Sequence, residues 1–213
     1  MGGYICSNCF VKISFSSSSF CLICNKHCVD GYTHPICRLR YVIDGCFVSL
    51  AYTGITRKLM YKYKFQPYLA DLSGILGELF YEGIIQNESF YLVMDEKSIF
   101  VPIPLHRSKK AKRGYDQVTL LSKELSKKLG IRTVELIERN RRTNSQYTLT
   151  REERSKNLKD AFDVKKGIVP NASETIFLID DVVTSGATFM SAAKTLKKAG
   201  YKKVYGLALA HGQ

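Results

Sequence analysis

The chain reads as an α/β protein, a parallel sheet flanked by helices with a small amino-terminal zinc-binding module, and three observations carry that reading. From Tyr41 onward apolar strand-like runs alternate with amphipathic helical stretches, the pattern that builds parallel sheets. One of the two longest apolar runs, Ile176 to Val183, holds two adjacent carboxylates and leads into a small-residue loop that opens a helix. Before Tyr41 the Cys, Ser and Gly density is high and cysteines recur at Cys-x2-Cys spacing. That shift places a boundary between residues 38 and 42 and predicts modules over 1–40 and 41–213.

In the larger module the predicted order is strand Cys46–Tyr52, helix Ile55–Tyr63, helix Pro67–Ile85, strand Ile99–Ile103 and helix Tyr115–Leu129, ended by Gly130. Strand Thr133–Ile137, a polar stretch Arg139–Asn157, strand Ala161–Val164 and strand Thr175–Ile179 follow. Helix Thr188–Ala199, ended by Gly200, and strand Lys203–Ala210 close the chain. Ser16 to Ser19 reads as a loop tip of the amino-terminal module.

A length of 213 residues with 45% hydrophobic and 24% charged residues excludes disorder and a collagen-like chain. Lys+Arg 32 against Asp+Glu 19 leaves a net charge of +13, a field that draws nucleic acid, phosphorylated metabolites or anionic lipid. No apolar run approaches the roughly 18 residues of a membrane helix, and no charged-then-apolar leader opens the chain. The expectation is a cytoplasmic protein without membrane insertion.

In a reducing compartment the seven cysteines point to metal rather than to disulfides. Cys6-x2-Cys9, Cys21-x2-Cys24 and His34-x2-Cys37 each suit a tight knuckle that presents two ligands to one tetrahedral Zn²⁺. Two registers stay open: Cys6, Cys9, Cys21 and Cys24, or Cys21, Cys24, His34 and Cys37. His34, in Thr33-His34-Pro35, equally suits a surface turn, and Cys28 and Cys46 read as small buried hydrophobes.

The strongest chemistry lies at Ile176-Phe177-Leu178-Ile179-Asp180-Asp181-Val182-Val183-Thr184-Ser185-Gly186-Ala187-Thr188. A buried strand would deliver Asp180 and Asp181 to the carboxyl edge of the sheet, where adjacent carboxylates can accept from two vicinal hydroxyls. Thr184, Ser185, Gly186, Ala187 and Thr188 would line up backbone N–H groups and hydroxyls at a helix N-terminus, with Gly186 allowing close approach of a phosphate. The whole suits a ribose 5-phosphate. A P-loop is excluded, because no Gly-x4-Gly-Lys-Ser/Thr is present.

This segment resembles the 5-phosphoribosyl 1-diphosphate (PRPP) motif of type I phosphoribosyltransferases, and the wider chain resembles the ComF family, a competence-associated branch of that superfamily. Val101-Pro102-Ile103-Pro104-Leu105-His106-Arg107 and Arg113-Gly114-Tyr115-Asp116-Gln117 carry the likeness, with Tyr115 and Asp116 replacing the family's Phe and Asn. Arg141, Thr143, Gln146, Leu149, Arg154, Asn157 and Ala161-Phe162 continue it at the family's spacing, and the amino-terminal cysteine module completes it.

The resemblance implies a type I phosphoribosyltransferase-like fold that binds PRPP with Mg²⁺ and transfers its 5-phosphoribosyl group with release of diphosphate, in the context of DNA uptake. Asp180 and Asp181 would be the catalytic acids, and Val182, Val183, Thr184, Ser185, Gly186, Ala187 and Thr188 would bind substrate. Leu105, His106 and Arg107 would form the diphosphate loop, with Arg113 adding charge. Arg141, Thr143 and Gln146 would sit on a loop that closes over the ligand. The family's competence association also implies competence proteins as partners. A different class of reading is a non-catalytic accessory protein that senses PRPP or handles single-stranded DNA. Arg57, Lys58, Lys62 and Lys64 interleave with Tyr61, Tyr63 and Phe65, as in single-strand grooves. The plainer alternative is a helix with Leu59, Met60 and Tyr63 inward and its lysines outward.

Overall fold

In the computed structural model, which describes residues 4–16, 20–140 and 161–212, four parallel strands form the central sheet in the order β1–β6–β5–β2. They are β1 (Gly45–Ala51), β2 (Ser98–Pro102), β5 (Thr175–Val183) and β6 (Lys203–His211). Two short strands, β3 (Ile137–Arg139) and β4 (Phe162–Val164), pair antiparallel in a second sheet. Every residue of β2 is buried, as befits a strand covered on both faces.

Alternation along β5 divides the core. Ile176 and Leu178 join Val101, Val204, Ala208 and Phe162 on one face, whereas Phe177 and Ile179 join Phe47, Phe100, Leu207 and Leu209 on the other. The first face is covered by α7 (Ala187–Ala199) through Phe189, Ala192, Ala193 and Leu196. The second is covered by α2 (Gly54–Lys64), α3 (Leu72–Ile85), α4 (Glu88–Val93) and α6 (Gln117–Leu129). Packing is close: a Cβ on Gly83 of α3 would lie 2.4 Å from Ser49 Cβ on β1, so only glycine lets the helix sit that near the sheet.

The amino-terminal segment leans on the β1 edge. Phe15 bridges Leu50, the Ser16 amide donates to the Ser49 carbonyl at 2.8 Å, and Phe20 and Leu22 enter the first core face. It contains a four-residue helix, α1 (Ser7–Phe10).

Besides the unexpected short helices α1 and α4, three elements depart from expectation. The second helix starts at Leu72 instead of Pro67, and Tyr68 before it takes a φ of +55°, outside any right-handed helix. The basic run Arg107–Arg113 is a helix, α5, capped by His106 and ended by Gly114 at φ +83°. The expected strand Thr133–Ile137 contributes one bridge, Thr133 to Phe100, and the ladder begins only at Ile137.

Candidate functional site at the carboxyl edge of the sheet

β2 and β5 lie side by side in register, Pro102 opposite Ile179, yet the helices that follow them cover opposite faces. α6, after β2, packs through Val118, Leu121 and Leu125 on the face where α7, after β5, is absent. The two connections therefore part at the carboxyl edge, the place where open parallel sheets bind ligands. To that edge run Ile103–Arg107 from β2 and Asp180–Thr188 from β5. The Ile103 amide still donates to the Ile179 carbonyl at 2.9 Å, so the two segments leave the sheet together.

The sequence presents Asp180 and Asp181 as equals, and the structure separates them. Asp181 is 4% exposed. Its Oδ1 receives Lys64 Nζ at 2.8 Å and its Oδ2 receives Gln117 Nε2 at 3.0 Å. Burial alone would raise its pKa, but the Lys64 charge and these donors outweigh it and hold the carboxyl below the usual range. Asp180 accepts the Asp181 amide at 2.8 Å. Burial first, and then the Asp181 charge, push its carboxyl well above the usual range. The field of Asp180 reaches Arg139 and Cys46. One carboxylate is thus clamped and held toward ionisation, and its neighbour is pushed toward the protonated form.

α7 starts at Gly186, whose φ of +70° turns the chain so that the helix N-terminus opens at this edge. Val183 is buried, and Thr184, Ser185 and Thr188 are partly exposed. On the β2 side the Leu105 amide donates to Asp116 Oδ2 at 3.3 Å, and His106 Nδ1 accepts the Ser108 amide at 3.2 Å. Arg113 Nη1 is buried without a hydrogen-bond partner, and the Arg113 charge helps to hold Asp181 ionised. Arg141, Thr143 and Gln146, with Arg154 and Asn157, lie outside the described residues.

Sequence reading missed Lys64 as a site residue and placed it among outward lysines of α2; its side chain is 13% exposed and turned onto Asp181. Leu59, Met60 and Tyr63 are buried, as the amphipathic reading has it. Arg139 and Gln117 were also passed over. Only the placement of Gln117 at the start of a helix capped by Asp116 could have hinted at its direction.

Three thiols and one imidazole gather in the amino-terminal segment: the ligand atoms of Cys21, Cys24, His34 and Cys37 all lie within 4.8 Å of one another. A turn closed by the Asn25 amide on the Cys21 carbonyl, with Asn25 at φ +60°, brings Cys21 and Cys24 together. His34 Nδ1 faces Cys24 Sγ at 3.2 Å while its Nε2 is held by the His27 carbonyl at 3.0 Å. A ring nitrogen anchored in that way is the usual support of a metal-bound histidine, and three sulfurs with one nitrogen suit tetrahedral Zn²⁺. Of the two registers left open, this is the one whose side chains meet. Cys6 and Cys9 stand outside the group and line a cleft of about 1470 Å³. Cys28 and Cys46 are buried, each 3% exposed.

That cleft lies between α2, the amino-terminal segment and the ends of β1 and β6, and reaches Thr184 of the loop before α7. Arg57, Lys58 and Lys62 line it together with Tyr52, Tyr61 and Phe65. Among the described residues no helix is long and apolar enough to cross a membrane.

No family model matches the chain. Over 216 residues it is 31% identical to Competence protein F of Haemophilus influenzae, covering 97% of this chain and 90% of that one. DNA utilization protein YhgH of Escherichia coli is 34% identical over 101 residues, 47% of this chain and 43% of its own; the Shigella flexneri protein of the same name is 33% identical over that span. With a near-full-length relative at that identity and a parallel sheet bearing an amino-terminal cysteine cluster, the chain belongs to the competence protein F (ComF) family.

Proposed function

We propose that the carboxyl edge of β2 and β5 binds PRPP and that the chain is a phosphoribosyltransferase-like protein serving DNA uptake. The supporting observation is the parting of the two connections at one sheet edge, where Leu105–Arg107 and Asp180–Thr188 continue from paired strands. In this reading the N–H groups of Gly186, Ala187 and Thr188 and the hydroxyls of Thr184, Ser185 and Thr188 hold the 5-phosphate, with Val182 and Val183 setting the loop's height. Asp180, protonated or ionised, takes a ribose hydroxyl, while Asp181 supports it from behind. The backbone of Leu105, His106 and Arg107, with Arg113, meets the diphosphate, and Arg141, Thr143 and Gln146 are the residues proposed to shield C1 from water.

Transfer breaks the bond from C1 to the diphosphate oxygen, forms a bond from C1 to an acceptor nucleophile, and sends the electron pair out with the diphosphate. Positioning and neutralisation by Arg107, Arg113 and the loop amides carry that step. Lys64 already compensates Asp181 at 2.8 Å, so the carboxylates do not form a cage for Mg²⁺, and the ion fits as a complex with the diphosphate. Bound there it would neutralise charge on the leaving group. Calorimetric titration of zinc-loaded protein with PRPP, with and without Mg²⁺, tests the reading. Micromolar, magnesium-dependent binding lost in the folded Asp180→Asn/Asp181→Asn variant supports it, and absence of heat from folded wild type overturns it.

A second reading has its own observation, the basic and aromatic lining of the 1470 Å³ cleft. Tyr61, 59% exposed, stands 5.0 Å from the Phe65 ring and offers a stacking face beside Lys58 and Lys62. The names of the relatives concern competence and DNA utilization. Single-stranded DNA is the proposed occupant. An oligothymidylate should bind with a steep loss of affinity in salt, and Lys58→Glu/Lys62→Glu should reduce the salt slope by about 2. Unchanged binding in that variant would remove the cleft from consideration.

A further inference from the structure

We propose that Lys64 and Gln117 are positioning residues that clamp Asp181 from two helices and thereby decide which of the two carboxylates is free to meet a ligand. The inference rests on the PRPP reading for its ligand and on geometry for its logic. Lys64 is the last residue of α2 and Gln117 the first of α6, so the clamp joins two helices that cover the same sheet face. Each takes one oxygen of Asp181, at 2.8 and 3.0 Å, and the lysine is 13% and the aspartate 5% exposed at the side chain. With both oxygens engaged, Asp181 is a poor acceptor for a sugar hydroxyl. Among the described residues no lysine or amide side chain engages Asp180 in this way, which makes it the group that a ribose would reach.

The groups that face Asp181 are accountable element by element. α2 supplies Lys64 and the buried Tyr63; α5 supplies Arg113; Tyr115 and Asp116 lie between α5 and α6; α6 supplies Gln117; β5 supplies Asp180. Tyr63 donates its hydroxyl to the Gln117 carbonyl at 2.9 Å and stays neutral. Asp116 is committed to the Leu105, Val118 and Thr119 amides. Among the described residues the cations of the cluster are therefore Lys64 and Arg113 toward Asp181 and Arg139 toward Asp180, and Lys64 pairs directly with Asp181 at 2.8 Å. Removing its ammonium would leave two neighbouring carboxyls sharing one buried strand end, and like charges there suppress the second ionisation.

The test pairs a ligand readout with one that needs no ligand. PRPP affinity of wild type, Lys64→Met, Lys64→Arg and Gln117→Leu is measured from pH 6 to 8.5, and the aspartate carboxyl carbons are titrated by NMR in the unliganded proteins. Lys64→Met should bind at least about 10-fold more weakly at pH 6.5, regain part of that loss at pH 8.5, and show the Asp181 carbon titrating at higher pH. Lys64→Arg should restore the wild-type profile, and Gln117→Leu, which leaves the ion pair in place, should show a smaller loss with the same sign. A Lys64→Met protein with wild-type affinity and wild-type carboxyl titration would overturn the clamp, as would weakening by the same factor at every pH. If wild type fails to bind PRPP, the PRPP reading falls, while an unchanged Asp181 titration in Lys64→Met would sink the clamp independently.

Discussion

Leu22 and Gly186 touch across the boundary between the cysteine cluster and the loop that opens α7: a Cβ on Gly186 would lie 2.7 Å from Leu22 Cδ2. Leu22 sits inside the Cys21–Cys24 knuckle and is 2% exposed, so the turn that offers two candidate metal ligands is one wall of the proposed phosphate loop.

Gly186→Ala should therefore harm the protein twice over. The left-handed φ of +70° costs an L-residue about 1 to 2 kcal/mol, and the new methyl must push Leu22 out of its place. A fall in unfolding temperature of about 2 to 8 °C follows for a chain of this size. Adding Leu22→Ala should relieve the clash but not the backbone strain, so the double variant is expected to bind PRPP better than Gly186→Ala while staying less stable than wild type. Thermal melts with parallel titrations check this, and a Gly186→Ala protein as stable as wild type would refute it.

The fold was legible where burial imposes a period. Ile176–Ile179 alternates between two cores and α7 shows one apolar face, so both were readable from residue types alone. Arg107–Arg113 has no buried residue, hence no period to detect; its helix is held by His106 at one end and Gly114 at the other. The site was legible as a set of residue types on a strand and its following loop, but not as a circuit. Lys64 looks like one more lysine on a basic helix, and only the third dimension puts its ammonium on a carboxylate 117 residues further along the chain, at Asp181. Arg139 and Gln117 escaped for the same reason, since each acts on a carboxylate from a different element.

Asp180 and Asp181 should respond to pH in opposite senses. A carboxyl raised on folding binds its proton more tightly in the native state, so its contribution is present below about pH 4 and is lost as pH climbs toward the native pKa. Asp180→Asn imitates the protonated acid and escapes that loss; its stability relative to wild type should be higher at pH 7.5 than at pH 4.5. Asp181 is lowered on folding, so its contribution is present above about pH 4 and is lost only as pH falls further. Asp181→Asn strands the Lys64 ammonium in a buried place and should cost about 3 to 5 kcal/mol at neutral pH. Urea midpoints for both variants at the two pH values decide the matter. Equal losses for Asp180→Asn and Asp181→Asn at pH 7.5 would mean that the carboxyls are equivalent after all.

Metal content separates the two cysteine registers. Because Cys21, Cys24, His34 and Cys37 converge within 4.8 Å and Cys6 and Cys9 line the cleft instead, one zinc ion per chain is expected, held through the first four. Cys37→Ser should weaken zinc more than about 100-fold, since loss of a ligand exceeds the 10- to 100-fold typical of losing a ligand's hydrogen-bond support. Cys6→Ser and Cys9→Ser should leave the zinc stoichiometry unchanged. Chelation should also lower the unfolding temperature and weaken PRPP binding together, because the knuckle that loosens carries Leu22 against Gly186. Elemental analysis of the purified variants reads the first part and titration of the chelated protein the second. Loss of zinc from Cys6→Ser or Cys9→Ser would transfer the site to the other register and remove the link from metal to phosphate loop.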